Sequence, residues 1–120
     1  KDYAALAEEA MVWFKKTTLL SPREATSYLG YGWCLDWMQK PQEASVWFSR
    51  AEELDPNGYF TTAQIGRHYL EADDYAAAKP WFERSIRLRW QDNPIAINYL
   101  RITNARMTEA ATNALSLRIP

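Results

Sequence analysis

Ala44–Ser45–Val46–Trp47–Phe48 is the stretch on which the fold turns, because its defining residues recur. Ala10 with Trp13–Phe14 is an earlier copy, and Ala78 with Trp81–Phe82 is a later one at the same interval. Gly32 and Gly66 keep this step, as do Pro22 and Pro56. A fixed step of about 34 residues, carried by small, aromatic and turn-forming side chains, points to stacked supersecondary units.

Working outward, the chain reads as six helices. The first spans 3–20, with Ala7, Ala10, Phe14 and Thr17 at helical spacing, and Ser21–Pro22 ends it. The second begins at Pro22 or Arg23 and runs to about Met38, with Ser21 and Glu24 at capping-box spacing. Tyr28, Tyr31, Gly32 and Leu35 form its packing stripe. Gly32 inside a helix marks a close approach by a neighbour, since glycine there costs up to about 1 kcal/mol relative to alanine. Pro41 opens the third helix, 41–54, and Asp55–Pro56–Asn57–Gly58 is a turn. Helices at 59–71 and 75–88 follow, separated by Ala72–Asp73–Asp74, with Asp74 as an N-cap. Pro80 stands inside the fifth helix and predicts a kink or a loosened first turn. A single long helix over 94–116 closes the chain, capped by Asp92 or Asn93.

Composition narrows the function classes. The 120 residues are 48% hydrophobic and 14% aromatic, enough for a packed core and unlike a disordered chain. Fourteen basic and 15 acidic residues leave a net charge of −1, so nothing points to nucleic acid or an anionic membrane surface. Cys34 is the only cysteine, which excludes an intrachain disulfide framework and a thiolate metal cluster. The apolar runs fall far short of the roughly 20 residues of a membrane helix, and no signal peptide is visible. The chain opens on Lys1 within a helical pattern, which reads as a piece of a longer polypeptide. Its compartment, cytoplasmic or periplasmic, depends on the flanks.

The pattern resembles the tetratricopeptide repeat, whose signature is W-x2-L-G-x2-Y, then A-x3-F, then P. One unit reads Tyr28-x2-Tyr31–Gly32-x2-Leu35, Ala44-x3-Phe48, Pro56; the next reads Thr62-x2-Ile65–Gly66-x2-Tyr69, Ala78-x3-Phe82, with Trp90 in the proline's place. Ala10-x3-Phe14 and Pro22 match the second half of a unit whose first half is absent or divergent. The resemblance implies an all-α fold of antiparallel helix pairs in a right-handed superhelix. It divides this single domain into a half repeat or N-terminal helix (1–22), two full repeats (23–58 and 59–93) and a C-terminal capping helix (94–120). Asp73 stands where the family often has a glycine, and Asp tolerates the left-handed conformation better than most residues. Chaperone-binding members hold a C-terminal carboxylate with Lys and Asn at groove positions that here are Leu29 and Trp33, so that clamp is not assembled.

No catalytic or metal-ligating constellation emerges, and no cofactor is implied. His68 is the only histidine and reads as a structural or surface residue. Cys34 reads as a small buried hydrophobe without a basic partner in sequence reach. Asp73–Asp74 and Glu52–Glu53 have structural readings, a helix cap and a solvated face. No glycine-rich phosphate loop is present.

The tryptophans divide in two. Trp13, Trp47 and Trp81 keep register beside the core phenylalanines, which predicts that most of their area is buried. Trp33 and Trp37 do not recur; they lie four apart beside Asp36, on the face that family geometry turns to the groove. The matching positions further on are Phe60, Gln64, Arg67 and Glu71, then Asn98 and Arg101. Aromatic rings beside arginines suit a peptide with an apolar anchor and a carboxylate. The expected function is therefore a non-catalytic scaffold for a protein or peptide segment. The same aromatics also suit a sugar, a missing N-terminal repeat or self-association. Residues 79–111, with Trp81–Phe82–Glu83–Arg84–Ser85, Asn93–Pro94–Ile95–Ala96 and Tyr99–Leu100, are in addition similar to repeats appended to bacterial O-antigen ligase and polymerase-like glycosyltransferases. That similarity implies the alternative of an accessory domain beside a membrane enzyme.

Overall fold

The computed structural model describes residues 3–118, which form six α-helices and no strand. These are α1 (Tyr3–Leu20), α2 (Ala25–Trp37), α3 (Pro41–Leu54), α4 (Tyr59–Glu71), α5 (Tyr75–Leu88) and α6 (Pro94–Ser116). The fold is all-α and repeat-like, and the chain divides into two compact units, Lys1–Thr61 and Thr62–Pro120. Proline fits the first turn of α3 and of α6, where its missing N–H is not needed.

In the first unit α1 packs on α2 and α2 on α3. The contact of α2 with α3 is set by the absence of a side chain. A Cβ built on Gly32 would stand 2.8 Å from a ring carbon of Phe48, whose ring is buried. Trp47, next in sequence to Phe48, turns to the tyrosines of α2, with ring centroids 4.0 Å from Tyr31 and 5.8 Å from Tyr28. On the other side of α2, Phe14 of α1 lies against Gly30.

The second unit repeats the device. A Cβ on Gly66 of α4 would stand 2.7 Å from Phe82 of α5, whose ring is 0% exposed. Leu70, Ala78 and Phe82 form a core flanked by Tyr69, Tyr75, Tyr99 and Leu100, and Tyr99 of α6 stacks on Phe82 at 5.6 Å. Asn93, 3% exposed, secures the junction of α5 and α6. Its Nδ2 donates to the Ser85 carbonyl at 3.2 Å, to Ser85 Oγ at 3.0 Å and to the Arg89 carbonyl at 3.0 Å. It holds the N-cap position of α6 without a side-chain cap bond.

The turns after α2 and α4 are copies of one another. Gln39 and Asp73, equivalent positions in successive repeats, both take the left-handed conformation, with φ of 64° and 59°. After α2, the Lys40 N–H returns to the Leu35 carbonyl at 2.9 Å and the Gln39 N–H to the Asp36 carbonyl at 3.0 Å. After α4, the Asp74 N–H returns to the Tyr69 carbonyl at 3.0 Å and the Asp73 N–H to the Leu70 carbonyl at 2.9 Å. Such a pair of hydrogen bonds closes a helix C-terminus and satisfies carbonyls that have no intrahelical partner. Asp74 then caps α5 by accepting from the Ala77 N–H at 3.2 Å.

Two details depart from the sequence reading. The capping box at Ser21 does not form, and α2 starts at Ala25 with Glu24 as an N-cap without a side-chain bond. The Ser21 carbonyl instead takes the Glu24 N–H in a turn, and the Tyr28 hydroxyl donates to the Pro22 carbonyl at 3.0 Å. Pro80 lies inside α5, which runs from Tyr75 to Leu88, with the proline ring on its exposed side. Trp13, expected to be buried like its copies, is 61% exposed. Trp47 and Trp81 are half-buried. The physical difference is plain in the first unit: Trp47 has the tyrosines of α2 against it, while on α1 that side is open.

Candidate functional site

The buried side of α2 consists of Leu29, Gly30, Gly32, Cys34 and Leu35. What remains for recognition is the flank carrying Trp33, Asp36 and Trp37. Trp37, the last residue of α2, is 46% exposed, and Asp36 beside it is half-buried. Trp33 is half-buried, with its indole Nε1 shut off from solvent. Trp37 is therefore the member of the pair offered to a partner. Phe60, on the first turn of α4, is exposed.

The other candidates fall in the second unit. Arg67 Nε donates to Glu71 Oε2 at 3.0 Å, one helical turn apart on α4. Arg101 Nη1 donates to Asn98 Oδ1 at 3.1 Å on α6. The structure thus brings Arg67 to Glu71 and Arg101 to Asn98. The two side chains are 25% and 42% exposed and form a pair four apart on one helix face. Asn98 and Arg101 are both exposed.

Gln64 departs from the open face expected for it. It is 4% exposed, and its Oε1 has no hydrogen-bond partner. A buried acceptor left in that state costs about 1–3 kcal/mol. The six consecutive residues from Thr61 to Gly66 are all buried, and a run of that kind means a helix covered on every side. Sequence reasoning missed this, because Thr61, Thr62 and Gln64 carry no apolar periodicity. The one available signal was the small volume of Thr61, Thr62, Ala63 and Gly66, which lets neighbours close in.

The remaining reactive groups are enclosed. Cys34 is buried, and burial pushes its thiol pKa above the ordinary value. His68 is buried, with its ring 5.0 Å from that of Tyr69. Among the described residues no group of three or more His, Cys, Asp and Glu side chains is arranged to hold a metal ion. No helix among them is long and apolar enough to cross a membrane. No protein-family model matches the chain, and a search of curated proteins finds no match to it.

Proposed function

We propose that this chain is a scaffold of the tetratricopeptide-repeat kind, which binds a short segment of another protein through the open flank of its first complete helix pair. The observation that carries this reading is the exposure of Trp37 at the end of a helix braced on both sides. With α1 and α3 packed on α2, few of the scaffold's own residues lose freedom on binding, and preorganisation of that kind favours affinity. Trp37 supplies an apolar anchor, and Asp36 beside it orients polar groups of the ligand. On the second unit, the exposed Arg101 offers a donor for acidic segments.

The magnitude follows from area. A tryptophan contributes some 150–250 Å² when covered, so covering the open half of Trp37 is worth about 2–3 kcal/mol. Selection of a displayed random-peptide library on the immobilised chain tests the reading. The enriched sequences should share a large aliphatic or aromatic anchor, and Trp37→Ala should weaken them by about 30- to 100-fold. Selected peptides that bind the Trp37→Ala variant as well as the parent would refute the reading.

A further inference from the structure

A second surface lies on the outward side of α1. Ala5, Val12 and Leu19 stand seven residues apart, so they form one narrow line along the helix. Val12 is 72% and Leu19 74% exposed, and Ala5 is exposed as well. Glu8 and Lys15 border the line on one flank, Glu9 and Lys16 on the other, and all four are exposed. This line is not a copy of a packing stripe. By the repeat step Val12 corresponds to Val46 on α3 and Pro80 on α5, and Leu19 corresponds to Glu53 and Arg87. Those four residues are all exposed, so both later helices keep this side outside their packing. Where they end the line on a charge, α1 ends it on a leucine.

The charges around the line are ordered too. The acidic pair Glu8–Glu9 precedes Val12, and the basic pair Lys15–Lys16 follows it at the same distance. A helix whose charges reverse sign about one residue complements itself when a second copy runs antiparallel, with the two-fold axis at that residue. Val12 then meets Val12 of the second copy, and Leu19 meets Ala5, large against small. In an antiparallel pair each flank faces the same flank of its mate, so Glu9 faces Lys16 and Glu8 faces Lys15. A parallel pair would set acid against acid and base against base at every one of these positions, an arrangement that like-charge repulsion disfavours.

We propose that this outward face of α1 pairs two copies of the chain, antiparallel about a two-fold axis at Val12. Charge complementarity selects the occupant, because the face meets each of its own acidic side chains with one of its own basic side chains. The contact is one helix long and lies at the small end of interface sizes, so the dimer forms at micromolar concentrations and dissociates readily. Trp37 takes no part in it, so the pairing stands apart from the peptide-binding flank.

Sedimentation equilibrium of the chain at low ionic strength, from micromolar to near-millimolar concentration, tests this. A monomer–dimer equilibrium is expected, weakened at least about tenfold by Val12→Asp, which brings two carboxylates together on the axis. Glu9→Lys and Lys16→Glu should each weaken it about tenfold, since by symmetry each change enters the contact twice. The double variant reverses both pairs and should return to within about threefold of the parent. Lys15 is left unchanged because its ammonium already lies 5.8 Å from the centroid of the Tyr31 ring. In a Cys34→Ala background, Val12→Cys should oxidise to a covalent dimer under conditions where Glu53→Cys on α3 stays monomeric. All the substituted surface positions are exposed, and circular dichroism should match the parent for each variant. A chain that stays monomeric throughout, a dimer indifferent to Val12→Asp, or charge reversals that the double variant fails to restore overturns the proposal. A dimer lost in Trp37→Ala would assign self-association to that flank, and overturns it too.

Discussion

Replacing Gly66 with alanine sets two effects of opposite sign against each other. Intrinsic helix propensity favours alanine inside α4 by about 0.8–1.0 kcal/mol. The new methyl, however, would stand 2.7, 2.9 and 3.0 Å from three consecutive ring carbons of Phe82. Because a whole ring edge is involved, rotation about the ring axis gives no relief. Phe82 is 0% exposed and has Tyr99 stacked on it, so the ring has nowhere to retreat without moving α5 or α6. Overpacking of this kind costs about 1–3 kcal/mol, and the clash therefore outweighs propensity. We expect Gly66→Ala to lower stability by about 1–2 kcal/mol, read as a lower urea midpoint at unchanged slope in circular-dichroism denaturation. Phe82→Leu removes the offending ring edge, so adding Gly66→Ala to it should cost far less than Gly66→Ala alone. The coupling in that double-mutant cycle should be about 1 kcal/mol or more. If Gly66→Ala raises stability by the propensity increment, or if the two changes add independently, the account of the glycine is refuted.

Gln39→Gly should stabilise the chain by about 0.5–1 kcal/mol, since a residue with a Cβ is strained at φ 64°. Asp73→Gly should gain less, because Asp suits this conformation and its Oδ1 accepts from the Tyr75 hydroxyl at 3.2 Å; urea denaturation ranks the two. Asn93→Ala removes the hydrogen bonds to Ser85 and Arg89 and should cost about 2 kcal/mol, with hydrogen exchange at the end of α5 and the start of α6 speeding first. Cys34 should react with a small alkylating reagent at pH 8 far more slowly in the native chain than in urea. Its folded pKa is raised above the ordinary 9.0, so the native state holds the proton longer than the unfolded state. Stability from this group is complete below pH 9 and falls as pH rises through the folded value; stability rising from pH 9 to 10 would contradict it.

Much of the fold is legible because punctuation in the sequence is strong. Pro41, Pro94, Asp74 and the Asp55–Pro56–Asn57–Gly58 turn set the bounds of α3, α4, α5 and α6 through backbone chemistry that needs no tertiary context. The start of α2 is not, because Ser21 and Glu24 have the right spacing for a box, but the chain there prefers a turn tied by Tyr28 to the Pro22 carbonyl. Repeat register identifies which residues correspond, yet it is silent on what stands beside each copy. Trp13 and Trp47 are equivalent in sequence and differ in exposure for that reason. The candidate site is legible only where side chains face away from neighbouring helices, as at Trp37 and Arg101. Gln64 escapes such a reading because burial of α4 comes from the closeness of its surroundings, which small residues permit and no periodicity records.

The turn at Gln39 has a consequence for how the chain folds. It joins helices that touch, and the contacts of α1 with α2, α2 with α3 and α5 with α6 likewise link neighbours along the chain. Little loop-closure entropy is lost before such contacts form, and topologies of low contact order fold fast. During synthesis the first unit can therefore assemble from its own residues while the second is still being made. A slow step in refolding would then have to come from elsewhere, such as isomerisation at one of the six X–Pro bonds.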